Sequence, residues 1–461
     1  MKDGLELTPE EMRAYGYRVI DCIVEHLSTL QTQPVGRKAD PAILTRPRES
    51  FAEEGTAFEA LLERVQADVL SNTMHVNHPR FFAYVPGPGN FVGAMADALT
   101  SAYNVFAGTW VSGSGAAAVE LETVNWLREL CGFPETTGGL FVSGGTLANL
   151  TALAVARDVK LGEEFGNATI YFSDQTHSSI EKVLKVLGFA GRQLRKLQSD
   201  AAFRLPVDLL RDEVMADRAR GMRPFCVIAN AGTTNTGAVD ALAKIAEFCQ
   251  VEDLWMHVDG AYGAAAAICD RGKALLGGLE LADSLSLDPH KWLFQPFECG
   301  CVLVRDGSHL TKAFRILPEY LKDTQVKSAE VNLTDQGIQL TRSFRALKLW
   351  LSLRTFGVAA FRRAVERGFW LAERFEAELR ARPDWEVVSP AQMGILCFRY
   401  RGAGEAFHLD LVQRILADGY ALVTSTRLGG ETMLRACPIN PRTTEEDIVE
   451  TVRRVDRMAQ G

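Results

Sequence analysis

The sequence predicts an α/β protein: a mostly parallel sheet covered by helices on both faces, preceded by a helical arm and followed by a smaller α+β domain. From about residue 139, short apolar runs alternate with helical patterns, the rhythm of parallel strands joined by crossover helices. Each run ends in a polar or glycine-rich cluster, and such sheets bind ligands beyond the carboxyl ends of their strands. Beyond Arg342 the rhythm changes to one long helix and then strands interleaved with helices. These shifts divide the chain into an arm over residues 1–90, a large domain over 91–345 and a small domain over 346–461.

Thr8-Pro9-Glu10-Glu11 is a capping box with proline at the first helical position. It opens a helix whose apolar residues recur through Met12, Tyr15, Val19, Ile23 and Leu27. A second helical pattern covers 58–70. Pro34, Pro41 and Pro47 fall among polar residues between the two, so their connection is extended rather than a tight hairpin. An amphipathic pair ahead of the main core needs a surface to cover, which predicts a homodimer with the arm docked on the second subunit.

Strands of the large domain are expected at 140–143, 168–172, 225–229, 255–258, 284–287 and 300–304, and those of the small domain at 385–388, 395–400, 421–424 and 432–435. Helices are expected near 407–418 and 444–458. With 461 residues, 47% apolar and 23% charged, the chain can close a large core and lacks the polar excess of a disordered one. A net charge of −8 offers no basic field to nucleic acid. The uncharged stretch 98–119 has spanning length, but Thr100, Ser101, Asn104 and a Ser-Gly-Ser-Gly run make it too polar for a membrane, and it reads as buried loop and helix. The first residues carry no signal pattern, so the expected compartment is the cytoplasm. Nine cysteines without Cys-x-x-Cys or Cys/His spacing read as reduced core thiols and offer no metal site.

Gly144-Gly145-Thr146 stands between a strand and a helix, offering backbone N–H groups and a hydroxyl to an anion. Glycine also suits an ordinary strand-to-helix turn there. Neither Walker spacing nor Gly-x-Gly-x-x-Gly occurs, which disfavours nucleotides. Asp259 ends one buried strand and Lys291 follows another, each at a sheet edge where a charge needs compensation. Two readings stand side by side: an ion pair between them, or a lysine acting as an imine-forming nucleophile while the carboxylate stabilises a different cation.

These residues lie within longer motifs: HPRFFAYVP at 78–86, SDQTHSSIEK at 173–182, HVDGAY at 257–262, DPHKW at 288–292 and LPEYLK at 317–322. Together with an LRACPINPRTTEEDI tail, they resemble the group II pyridoxal-phosphate decarboxylases, the family of aromatic-amino-acid, histidine and glutamate decarboxylases. The resemblance runs in order from about residue 8 to the carboxyl terminus. It implies the fold type I architecture with a seven-stranded, mostly parallel sheet, and pyridoxal 5'-phosphate as cofactor. It implies that Lys291 carries the cofactor as an aldimine, that Asp259 pairs with the ring nitrogen, and that Ala261 and His177 face the two sides of the ring. Thr233 would contact the ring or its hydroxyl, while Gly145, Thr146 and His290 would hold the phosphate. Asp288, where the family commonly has asparagine, would place an anion beside that phosphate. Tyr320 corresponds to a loop tyrosine that protonates the quinonoid carbon, giving an amine and carbon dioxide.

Tyr84, Pro86 and Phe106 match the family's substrate pocket. No arginine appears at 76–79 or 82–87, the stretches that match that pocket, which favours an aromatic or large neutral amino acid. Val76 and Gly87 depart from the aromatic-specific branch, which carries tryptophan and threonine there. An aldehyde synthase, a decarboxylase of acidic or diamino acids, and a non-catalytic α/β protein are the competing readings. The joint presence of His177 and Tyr320 favours simple decarboxylation over aldehyde formation. His177, and less readily Arg342, could meet the substrate carboxylate; Arg342 and Arg345 otherwise read as solvated or interdomain residues.

Overall fold

The computed structural model describes residues 5–45, 53–316 and 330–461. Apolar runs pair into a seven-stranded sheet: β1 (Gly138–Val142), β2 (Ala168–Ser173), β3 (Leu194–Leu197), β4 (Arg223–Asn230), β5 (Trp255–Asp259), β6 (Ser284–Leu287) and β7 (Gly300–Val304), in the order β1-β7-β6-β5-β4-β2-β3. Parallel pairing joins β3, β2, β4, β5 and β6, whereas β7 runs against β6 and β1. All six anticipated strands are present. The seventh, β3, reads Leu-Arg-Lys-Leu and has one neighbour; a short charged strand suits a sheet edge but gives no apolar signal.

Alternate residues feed the two faces of the sheet. Tyr171, Val227 and Val258 pack into one core cluster, and Ile170, Phe172 and Ile228 into another with Ala148, Ala152 and Val155 of the helix Gly145–Lys160. Burial on both sides explains why these strands read as continuous apolar runs. All nine cysteines are unpaired, and all but Cys22 are buried.

The small domain is a four-stranded antiparallel sheet of β8 (Trp385–Gln392), β9 (Ile395–Tyr400), β10 (Thr424–Leu428) and β11 (Glu431–Ala436), in the order β10-β11-β9-β8. The strand expected at 421–424 starts only at Thr424. Gly429 and Gly430 both have positive φ, forming the two-residue turn that fixes the register of the β10–β11 hairpin. The long helical pattern after Arg342 breaks at Gly357, where φ is 75°, into Ala346–Phe356 and Val358–Arg380.

In the arm, the capping box closes as expected: Glu11 N–H donates to the Thr8 hydroxyl at 3.2 Å and Thr8 N–H to the Glu11 carboxylate at 2.8 Å. The helix Pro9–Thr29 buries none of its residues. The pattern at 58–70 becomes a helix, Phe58–Arg64, followed by a widened turn at Val65–Val69. The uncharged stretch 98–119 is loop and helix, buried at Ala107, Ala116 and Ala117 but exposed at Tyr103 and Val111. Among the described residues, no helix is long and apolar enough to cross a membrane.

Arg342 is neither solvated nor open to a ligand. It is buried beside β1, pairing with Glu120 at 2.5 Å and donating to the carbonyls of Ala107 and Phe141, both at 2.7 Å. The same Glu120 oxygen accepts the Phe141 N–H, so the pair ties the helix Trp110–Leu130 to β1. Arg345 is likewise engaged, with Glu298 at 2.9 Å. Removing one partner strands a buried charge: Glu120→Ala is expected to lower the unfolding free energy by about 3–5 kcal/mol, read from the urea midpoint.

Candidate active site

The carboxyl ends of β1, β2, β4, β5 and β6 converge on one side of the sheet and deliver polar residues to a cavity of about 390 Å³. Its lining includes Gly145, Thr146, His177, Thr233, Asp259, Ala261, Asp288, His290 and Lys291. Nine positions singled out from the sequence, spread over 147 residues of chain, thus meet in one place because five parallel strands end there.

Asp259 is the last residue of β5 and is 8% exposed. Its Oδ1 accepts from the Ala261 N–H and the Ser286 hydroxyl, both at 3.2 Å, and its Oδ2 accepts from the Asn149 amide at 3.2 Å. All three donors are neutral. Of the two readings open from the sequence, the ion pair with Lys291 is not formed: the lysine amine instead meets Asp288 Oδ2 at 3.0 Å. Asp288 lies three residues before Lys291 in one turn, and this local carboxylate takes the ammonium that the longer-range pairing would have used.

The turn Ser143-Gly144-Gly145 leads into the helix Gly145–Lys160, which no side chain caps. A Cβ on Gly144 would lie 3.1 Å from the His290 ring, and one on Gly145 would lie 2.9 Å from the Ala261 methyl and 3.0 Å from Asp288 Oδ2. Close approach therefore requires glycine at 145 and crowds any side chain at 144, and the start of the helix, at Gly145 and Thr146, lines the cavity. Asp288 is 2% exposed, and its Oδ1 has no hydrogen-bond partner. His290 Nδ1 accepts the Cys299 N–H at 3.0 Å, which leaves the proton of the neutral ring on Nε2, 3.5 Å from Asp288 Oδ2. Burial holds the His290 pKa below its usual value, against the opposing pull of Asp288.

His177 follows β2 at the open mouth of the cavity. Its Nδ1 accepts the Ser179 N–H at 3.2 Å and lies 2.8 Å from the Ser179 hydroxyl. Loss of hydration lowers its pKa, more than Asp259 and Asp288 raise it, so the ring is neutral at pH 7. The Thr233 hydroxyl, 2% exposed, pairs with Thr236 at 2.8 Å in the turn after β4.

Three expected substrate residues do not line this cavity. Tyr84 is 66% exposed, with φ at 49° and its carbonyl taken by Arg435; Pro86 is buried, and Phe106 packs over Gly108. Tyr320 lies outside the described residues. Conversely, Asn149, Ser179 and Glu298 line the cavity and Ser286 holds Asp259, yet none of the four stood out in the sequence. An asparagine on an otherwise apolar helix face, at the turn nearest a suspected anion site, was the one available signal. No group of side chains suited to holding a metal ion occurs among the described residues.

Comparison with known proteins agrees with this geometry. Residues 41–401 match the pyridoxal-dependent decarboxylase conserved domain. An aromatic-L-amino-acid decarboxylase of Bacillus atrophaeus is 47% identical over all of this chain and 98% of its own length. Among solved structures, an Oryza sativa TDC with PLP and tryptamine superposes with a TM-score of 0.93 at 28% identity, over 99% of both chains. The Rhodiola rosea 4-hydroxyphenylacetaldehyde synthase superposes with a TM-score of 0.91 at 27% identity, over 98% of this chain and 99% of its own.

Two fully buried histidines set an acid limit on the fold. His257, on β5, and His78, near the end of the arm, have pKa values lowered from 6.5 to about 4, by burial first and, for His78, by the adjacent Arg80 charge. Between pH 6.5 and 4 the unfolded chain binds protons at these sites that the folded chain refuses. Stability should therefore fall as pH drops through that window, by about 1.4 kcal/mol per pH unit for each histidine, and hold above it. Urea unfolding of the wild type and of His257→Gln across that window measures the contribution.

Proposed function

The chain belongs to the pyridoxal-dependent decarboxylase family, and from that membership we propose that it converts an aromatic L-amino acid to its amine and carbon dioxide, with pyridoxal 5'-phosphate as cofactor. The observation that carries this reading is the Asp259 carboxylate, buried, held by three neutral donors and given no cation by the chain although Lys291 opens onto the same cavity. A carboxylate in that state favours a protonated ring nitrogen beside it. The uncapped helix Gly145–Lys160, with a glycine at 145 that leaves no room for a Cβ, fits a phosphate at its amino terminus. Asp288 stands against the same cradle, countered by Lys291 at 3.0 Å and by His290 at 3.5 Å.

When bound, the cofactor supplies a protonated ring that takes up the electron pair left as the carboxyl group departs. Lys291 holds it through the side-chain amine and yields that place to the amine of the substrate. Gly145, Thr146 and His290 bind the phosphate, while Thr233 and Ala261 bound the space for a flat ring. His177, neutral with its proton on Nε2, donates to the substrate carboxylate and orients the bond that breaks. Tyr320, in the segment outside the described residues, delivers a proton to the α-carbon.

Tyr84, Pro86 and Phe106, which lie off the cavity in a single chain, are proposed to shape the substrate side-chain pocket once two subunits assemble. The arm supports a homodimer: no residue of its first helix is fully buried, and Met12, Tyr17 and Val24 are exposed. A second reading, oxidation to the aldehyde, is favoured by the likeness to the Rhodiola rosea synthase. His177 and Tyr320, both present, weigh toward the amine.

Purified protein supplied with pyridoxal phosphate and offered tryptophan, tyrosine, phenylalanine and L-3,4-dihydroxyphenylalanine should release the matching amine from at least one, detected by mass spectrometry. Borohydride should fix the cofactor on Lys291, and Lys291→Ala should lose turnover by a factor of at least about 1,000. Absence of any amine, or a label elsewhere, defeats the proposal. Tyr320→Phe should divert product toward aldehyde with consumption of oxygen; an unchanged amine yield removes Tyr320 from the proton-delivery role.

A further inference from the structure

From Asn149 in the cavity wall a file of buried polar side chains runs back into the protein. Asn149, on the helix Gly145–Lys160, is 1% exposed, and His257 on β5 and Ser284 on β6 are fully buried. The Asn149 amide donates to Asp259 Oδ2 at 3.2 Å and to the Ser179 hydroxyl at 3.3 Å, and its oxygen lies 2.9 Å from His257 Nε2. His257 Nδ1 is 2.9 Å from the Ser284 hydroxyl, which also accepts the Trp255 indole N–H at 2.9 Å.

The direction of each bond follows from the carboxylate. Asp259 can only accept, so Asn149 must turn its nitrogen toward it and its oxygen toward His257. The buried His257 ring is neutral, and its single proton is then on Nε2. Nδ1 becomes the acceptor and takes the Ser284 hydroxyl proton, while the Ser284 oxygen takes the Trp255 N–H. Every donor in the file therefore faces Asp259. The other N–H of Asn149 fills the Ser179 oxygen, so the Ser179 hydroxyl proton goes to His177 Nδ1, beside the Ser179 N–H on the same atom.

We propose that Asn149 is a positioning residue that ties the Asp259 carboxylate to the His177 ring, its amide locked in one orientation by His257 and Ser284 behind it. Aligned neutral dipoles stabilise the Asp259 charge without a cation that would compete for it, and one amide sets the two groups that flank the ligand space. The proposal rests on Asp259 as the partner of the cofactor's ring nitrogen, and the test separates the two ideas.

Cofactor-free protein is titrated with pyridoxal phosphate and with its 1-deaza analogue, in which carbon replaces the ring nitrogen, and binding is followed by quenching of tryptophan fluorescence. The wild type should prefer the nitrogen-containing ring; no preference overturns the Asp259 assignment and this proposal with it. In Asn149→Ala the preference should shrink roughly ten-fold, the scale of a charge-assisted hydrogen bond, with the melting temperature showing a folded protein. An unchanged preference there overturns the positioning role while leaving Asp259 as assigned. Should Asn149→Ala not fold, the His257 pair decides: His257→Gln keeps a donor toward Asn149 and should keep the preference, His257→Leu should lose it, and equal behaviour of the two overturns the proposal. Nitrogen-15 spectra of histidine-labelled, cofactor-free protein read the second arm, where His177 should carry its proton on Nε2; a proton on Nδ1 overturns it.

Discussion

A carboxylate held inside the protein without a counter-cation is the constraint on which the site depends. Burying an unpaired charge costs far more than a single hydrogen bond returns, so Asp259 persists only because neutral donors approach it from three elements at once. Those donors come from the helix after β1, from the turn after β5 and from β6. The sheet order brings β5 and β6 side by side in parallel, and the helix Gly145–Lys160 lies across them. The architecture thus surrounds one acid with donors that carry no charge.

The second acid of the cavity obeys the opposite logic. Asp288 is paired with a cation of the chain itself, Lys291 at 3.0 Å, and carries an unpartnered oxygen beside the glycine cradle. When the lysine amine is committed to a cofactor, that pairing weakens and the carboxylate must find another donor. His290 Nε2, already 3.5 Å away, is the nearest one on the chain. The two aspartates therefore differ in company: Asp259 meets only neutral donors, whereas Asp288 meets a cation of the chain through one of its oxygens.

Most of this was legible in the sequence because a buried parallel strand writes a continuous apolar run, and whatever follows the run is carried to the same edge. Asp259 and Lys291 are legible on that ground alone, as is the Gly144-Gly145-Thr146 turn. Of the two readings open at Asp259 and Lys291, the ion pair fails because the sheet-edge argument weighs distant charges and overlooks Asp288, three residues earlier in the same turn. Asn149 was not legible for a different reason. Its partners Asp259 and His257 are 110 and 108 positions away, and a single asparagine in an apolar helix looks like a surface residue until the strand beneath it is placed. The edge strand β3 escaped because solvent on one side lets it be polar.

The cavity itself is common ground for amine-forming and aldehyde-forming chemistry, since both need the ring nitrogen partner, the tethering lysine and the phosphate cradle. Nothing that holds Asp259 distinguishes them. On the proposed function, what differs must act at the α-carbon after the carboxyl group has left, either by delivering a proton or by admitting oxygen, and not at the buried wall that holds Asp259. Tyr84, Pro86 and Phe106 likewise lie outside the cavity, the first two in loop at the end of the arm and the third in loop before the first strand. Bond cleavage is thus built into the sheet, where a change of one residue disturbs a packed network. The loops that carry Tyr84, Pro86 and Phe106 stand off the cavity and can vary without reaching the buried file of hydrogen bonds.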